Sequence, residues 1–130
     1  MTNCFITMTD YELKSLPESN EVRKMNRGKI QSVSVAGRKV ARFELEKGWR
    51  WSRDVKPLVN TEWCEAPHFQ YLISGRFLTK LKDGTEFEAK AGDVYSVPPG
   101  HDAWVVGDET VVGIEFTAEG ITKELSKSQS

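Results

Sequence analysis

Apolar and polar residues alternate through most of the middle of this chain. Residues 30–35 alternate, Ala36-Gly37 can turn, and residues 40–45 resume the pattern. Trp49 and Trp51 share strand parity on either side of Arg50. Residues 69–73 form a β-rich run closed by Ser74-Gly75. Phe77, Thr79 and Leu81 then alternate with Leu78, Lys80 and Lys82, and Asp83-Gly84 is a strong hairpin signal. Residues 85–89 return, Ala91-Gly92 turns, residues 94–97 read as a strand, and Pro98-Pro99-Gly100 makes a rigid corner. Residues 104–106 and 110–116 complete the set. The pattern predicts about nine short strands and no long helix. It is an all-β sandwich or closed barrel, because closure removes edge strands that would expose unpaired backbone groups.

The flanks lack this rhythm. Residues 1–28 read as a polar N-terminal arm, with a weak helix start at Thr9-Asp10-Tyr11-Glu12 that Pro17 ends. Residues 29–116 form the β domain, and residues 117–130, closing on Ser-Lys-Ser-Gln-Ser, read as a flexible polar tail. A chain of 130 residues fits one core.

Charge narrows the partners. Eighteen Lys and Arg against nineteen Asp and Glu give a net charge of −1, without the basic excess that a nucleic-acid binder usually shows. The densest basic stretch, Arg23-Lys24-Met25-Asn26-Arg27-Gly28-Lys29, reads as part of a solvated, mobile arm. No apolar run approaches a membrane span, and Asp10 interrupts the first apolar stretch, so neither membrane nor secretion is expected. The expected location is the cytoplasm, where Cys4 and Cys64 stay thiols.

Tyr71-Leu72-Ile73-Ser74-Gly75-Arg76, followed fifteen residues later by Gly92-Asp93-Val94-Tyr95-Ser96-Val97-Pro98-Pro99-Gly100-His101, resembles the cupin superfamily. That family's second motif, a Gly, five residues, a Pro, one residue and a Gly, is met by Gly92, Pro98 and Gly100. The resemblance spans about residues 35–116. It implies a double-stranded β-helix, or jelly-roll barrel, and a homodimer is expected from the resemblance and from the edge formed by residues 29–47.

The resemblance also implies a metal site of two alternating His, a Glu, and a third His after the Pro-Gly corner. Counting back from Gly75 puts His68 at the Glu position and Cys64 and Glu62 at the two His positions. Ala103 stands where the third His is usual, and His101 lies two residues earlier. Glu62, Cys64, His68 and His101 are therefore four potential ligands at or near the four expected places, and they include both histidines of the chain. A thiolate with imidazoles favours Zn²⁺ as the divalent cation. Fe²⁺ and Ni²⁺ come from the family's habits. Without metal, an imidazole could instead activate the Cys64 thiol. Plainer readings stand beside these: Cys64 as a small core residue, His68 as an interior histidine, His101 on the rim with Asp102 setting its tautomer, and Glu62 as a solvated acid.

By parity, Trp49, Trp51, Tyr71, Tyr95 and Trp104 would line the barrel, with Gln70, Arg76 and Asp102 as polar options. An aromatic lining suits a small organic ligand. The expected function is a single-domain cupin that binds or senses such a ligand, with or without metal. The alternatives are a metal-dependent oxygenase (dioxygenase type) or isomerase of a small organic acid or aromatic, and a partner-binding scaffold.

Overall fold

Alternation in the sequence becomes antiparallel pairing in the structure, a computed structural model that describes residues 11–116. The strands are β1 (Glu21–Met25), β2 (Gly28–Val35), β3 (Arg38–Leu45), β4 (His68–Ser74), β5 (Arg76–Leu81), β6 (Glu86–Lys90), β7 (Val94–Val97), β8 (His101–Val106) and β9 (Val111–Phe116). One short helix, α1 (Trp51–Asp54), and two 3-10 turns, Leu16–Glu18 and Lys56–Leu58, complete the regular elements. A six-stranded sheet runs β1-β2-β3-β9-β4-β7, and a three-stranded sheet runs β6-β5-β8.

The turns follow from local chemistry. Ala36 and Gly37 have φ values of 50° and 77°, the left-handed pair that lets a two-residue loop follow the twist of β2 and β3. The core lies between the sheets. Phe43 of β3 packs against Phe77 of β5 with ring centroids 6.3 Å apart, and Trp49 packs against Phe77 at 5.9 Å, both pairs with tilted rings. A fully buried side chain of this class contributes about 1.5–3 kcal/mol. Gly113, on the inner side of β9, leaves the space that the Phe43 ring fills.

Two segments differ from the sequence reading. Residues 21–25, expected within the arm, pair with β2 from Glu21↔Ser32 to Met25↔Gly28. The basic stretch is thus largely a hairpin, with Arg27 bonded to buried Asp54 at 3.0 Å and Lys29 3.3 Å from Glu44. Residues 49–51 carry strand parity, yet Trp51 opens a helix. The cause is a pair of buried carboxylates. Asp54 accepts the Arg50 N–H at 2.9 Å, and Asp102, from the far strand β8, accepts the Ser52 N–H at 3.0 Å. These satisfy donors that a helix start leaves without partners. Tyr11 and Glu12 are not helical. Thr9, Asp10, Cys4 and the 117–130 tail lie outside the described residues.

Candidate metal centre

Cys64 is held by backbone, not by a strand of its own. It forms an isolated bridge with His101 at the start of β8. Its N–H donates to the His101 carbonyl at 2.8 Å, and its own carbonyl accepts the N–H of Gly100 at 2.7 Å and of His101 at 3.2 Å. Gly100, with φ of 89°, provides the sharp corner after Pro98-Pro99. The corner therefore docks directly onto Cys64.

His68 begins β4 and shares its inner face with Gln70 and Leu72. Its Nε2 lies 3.7 Å from Cys64 Sγ, and its ring stands edge-on to that of His101 with centroids 5.0 Å apart. On the other side, His68 Nδ1 is 2.9 Å from Oε1 of Glu115, on the neighbouring strand β9. Gln70 Nε2 donates to the same oxygen at 2.6 Å, and Tyr95 on β7 donates its hydroxyl to Gln70 Oε1 at 2.5 Å. Strand register makes this chain, since Gln70 pairs with both Tyr95 and Glu115. Burial and the nearby Glu115 charge push the Tyr95 phenol well above its usual range, so it remains a donor.

Cys64, His68 and His101 form a possible metal-binding triad, with one ligand atom of each within 4.8 Å of the others. In a tetrahedral zinc site, bonds of 2.0–2.3 Å put neighbouring ligands about 3.5 Å apart. The Cys64–His68 separation, 3.7 Å, is close to that value, and the others, at most 4.8 Å, close with a shortening of no more than about 1.3 Å. The imidazoles are pre-set for the task. A carbonyl only accepts, so His101 Nδ1 carries its proton toward Pro98 O at 2.9 Å, which leaves Nε2 with the lone pair. The Glu115 carboxylate does the same for His68. Such outer partners fix tautomer and ring orientation at metal sites. Burial, and secondarily the nearby His68, lower the His101 pKa to about 4, so its ring is neutral at pH 7 and available as a ligand.

The structure leaves other expected site residues outside. Glu62 is exposed and bonds Lys56 at 2.8 Å, and the ammonium holds its carboxyl below the usual range. The parity that joined it to Cys64 fails because residues 62–63 bend. Tyr71 neighbours inward Gln70 on β4 and so points out. Arg76 is exposed and bonds Glu88 at 2.8 Å. Trp104 lies on the outer side of β8, with the Arg50 guanidinium 4.0 Å above its ring. Asp102 turns toward α1, so Pro98 rather than Asp102 sets the His101 tautomer. Tyr95 reaches the site only through Gln70.

Trp49, Trp51 and Gln70 do line the interior cavity, together with the triad and Glu115. Its free volume is about 40 Å³. At about 10–15 Å³ per water position, that is about three water-sized groups. An aromatic guest does not fit.

No family model matches the sequence, and no curated protein matches it. Solved structures do. A protein of unknown function from Rhizobium leguminosarum superposes with a TM-score of 0.58 at 15% identity, covering 81% of this chain and 93% of that one. A cupin-like protein from Thermotoga maritima gives 0.54 at 17%, covering 79% and 80%. The fold is that of the cupin superfamily. A variant of Bacillus subtilis oxalate decarboxylase also matches, with a TM-score of 0.54 and 26% identity over 78% of this chain but 28% of that chain. The present chain thus spans little more than a quarter of that enzyme.

Within this cupin fold, Ala103 occupies the usual third-His position and lines the cavity, while His101 lies one inward step nearer Cys64 on the same side of β8. Glu115 is the site residue that sequence reasoning missed. In residues 111–116 the apolar side chains Val112, Ile114 and Phe116 share one face, so alternation assigns that face to the interior and Glu115, with Val111 and Gly113, to the outside, the reverse of what the structure has. The available hint was a carboxylate inside a strand otherwise apolar on both sides.

Proposed function

We propose that this chain is a single-domain metal-binding cupin in which Cys64, His68 and His101 hold one divalent cation, with Zn²⁺ the best chemical match, and that a small molecule is captured beside it. The supporting observation is the convergence of three ligand atoms within 4.8 Å while each histidine gives its other nitrogen to an acceptor. One thiolate and two imidazoles form a borderline-soft set that suits zinc better than Mg²⁺ or Mn²⁺. Three protein ligands leave a fourth position, where a bound cation would polarise a guest. Binding is preferred to catalysis because the cavity holds no acid–base pair beyond the ligands' own partners. A metal-dependent enzyme is the second reading, favoured by the likeness to a protein named as a decarboxylase.

The test is metal content per chain in protein purified without chelator or His-tag and then reconstituted. About one zinc per chain, lost in Cys64→Ala and in His68→Ala variants, supports the reading. No uptake of Zn²⁺, Fe²⁺ or Ni²⁺ overturns it. Oxygen consumption or turnover across a panel of small acids separates enzyme from binding module.

The homodimer belongs to the same proposal. The outer side of β9-β4-β7 exposes Phe69, Tyr71, Ile73, Val94 and Phe116, a concentration of apolar surface that marks interaction sites. The patch carries no charge at its centre, and ion pairs of both signs, Arg42–Glu44 and Lys90–Asp93, stand at its margins. A self-complementary face of this kind suits a second copy related by a two-fold axis.

A further inference from the structure

Three residues that line the 40 Å³ cavity each carry a buried side-chain polar group with no hydrogen-bond partner among the described residues: Glu115 at Oε2, and Trp49 and Trp51 at the indole N–H. These residues are 1%, 3% and 2% exposed. Glu115 Oε1 is saturated by His68 and Gln70, so the second oxygen stands bare. A buried carboxylate oxygen and two buried N–H groups left unpaired would be destabilising. The space their three residues share is where partners belong.

We propose that this cavity is a subsite for a small neutral molecule with a hydrogen-bond donor at one end and an acceptor at the other, of the carboxamide type. The donor end faces Glu115 Oε2, and the acceptor end takes the indole N–H groups. A carboxylate guest presents no donor to Glu115 and sets like charges against each other. The volume limits the guest to about three or four non-hydrogen atoms. The inference deepens the metal reading by naming what sits beside the cation, but the three groups call for a partner whether or not a cation is present.

Formamide and formate are the probes, nearly identical in size and opposite in donor capacity. The indole N–H signals of ¹⁵N-labelled protein are followed during titration, with Trp49 and Trp51 assigned through single Trp→Phe variants. Titrations use both zinc-loaded and chelated protein at pH 7. Formamide is expected to shift both signals saturably in about the millimolar range, the limit for so small a ligand. Formate should bind about tenfold or more weakly. Glu115→Gln keeps an oxygen toward His68 and Gln70 but turns the bare acceptor into a donor, so the preference should reverse. No saturable shift with formamide, or equal shifts with both probes, overturns the subsite and leaves bridging waters as the partners. An unchanged preference in a folded Glu115→Gln variant also overturns it. If that variant does not fold, the wild-type preference decides alone. Formamide preference without zinc uptake overturns only the metal reading, and zinc uptake without formamide binding overturns only the subsite.

Discussion

His68 Nδ1 and Glu115 Oε1 lie 2.9 Å apart across the β4–β9 pair, both residues on the inner face and far from each other in sequence. This bond aims His68 Nε2 at Cys64. Glu115→Ala should weaken zinc binding about 10- to 100-fold, as expected for loss of an outer partner. Glu115→Gln should weaken it much less, since an amide oxygen still accepts from Nδ1–H. Competition against a chromophoric chelator measures both, and equal losses would mean that orientation is not the role of Glu115.

His101 carries a pH signature in the metal-free protein. Its pKa is about 4 in the fold against 6.5 in a free chain. Burial and the neighbouring His68 lower it, while the Pro98 carbonyl, Asp102 and Glu115 oppose without prevailing. Above pH 6.5 neither state holds the proton. As pH falls from 6.5 toward 4 the unfolded chain takes up a proton that the fold refuses, so stability declines, by up to about 3 kcal/mol. Urea unfolding at pH 7 and pH 4.5 should show the decline, and His101→Asn should flatten it. An equal slope in that variant would assign the titration elsewhere.

Asp102 tests the division between scaffold and site. It accepts the N–H groups of Ser52 and Ala103, at 3.0 and 2.9 Å, and stands 3.3 Å from Arg50. Asp102→Ala should destabilise the protein by about 1–3 kcal/mol through orphaned donors. Zinc affinity at neutral pH should stay within about threefold. A large loss of affinity with little loss of stability would instead link Asp102 to the site.

The outer apolar face predicts its own result. Replacing Phe69 and Ile73, 49% and 45% exposed, with Ser should shift the protein from dimer to monomer in sedimentation, with folding preserved. A monomeric wild type would give the face another cover, with residues 117–130, which follow directly from Phe116, the first to delete.

Alternation and turn chemistry made the β architecture legible, because both are local. A period of two needs only neighbouring residues, and Ala36-Gly37, Asp83-Gly84 and Pro98-Pro99-Gly100 act within the span of a turn. The cupin motif at Gly92, Pro98 and Gly100 belongs to the same local class, and so does the candidacy of Cys64, His68 and His101. Three features depended on distant partners. Asp102 reaches Ser52 from fifty residues away and turns a strand-like stretch into α1. Glu115 becomes a site residue only because β9 lies beside β4. β4 turns His68 and Gln70 inward and Phe69, Tyr71 and Ile73 outward, against the usual sense of its hydrophobicity. Sequence periodicity defines two faces of a strand but assigns neither to the interior. That choice belongs to the packed sheets, where satisfying the buried polar chain from Tyr95 to His68 outweighs the preference of any single strand.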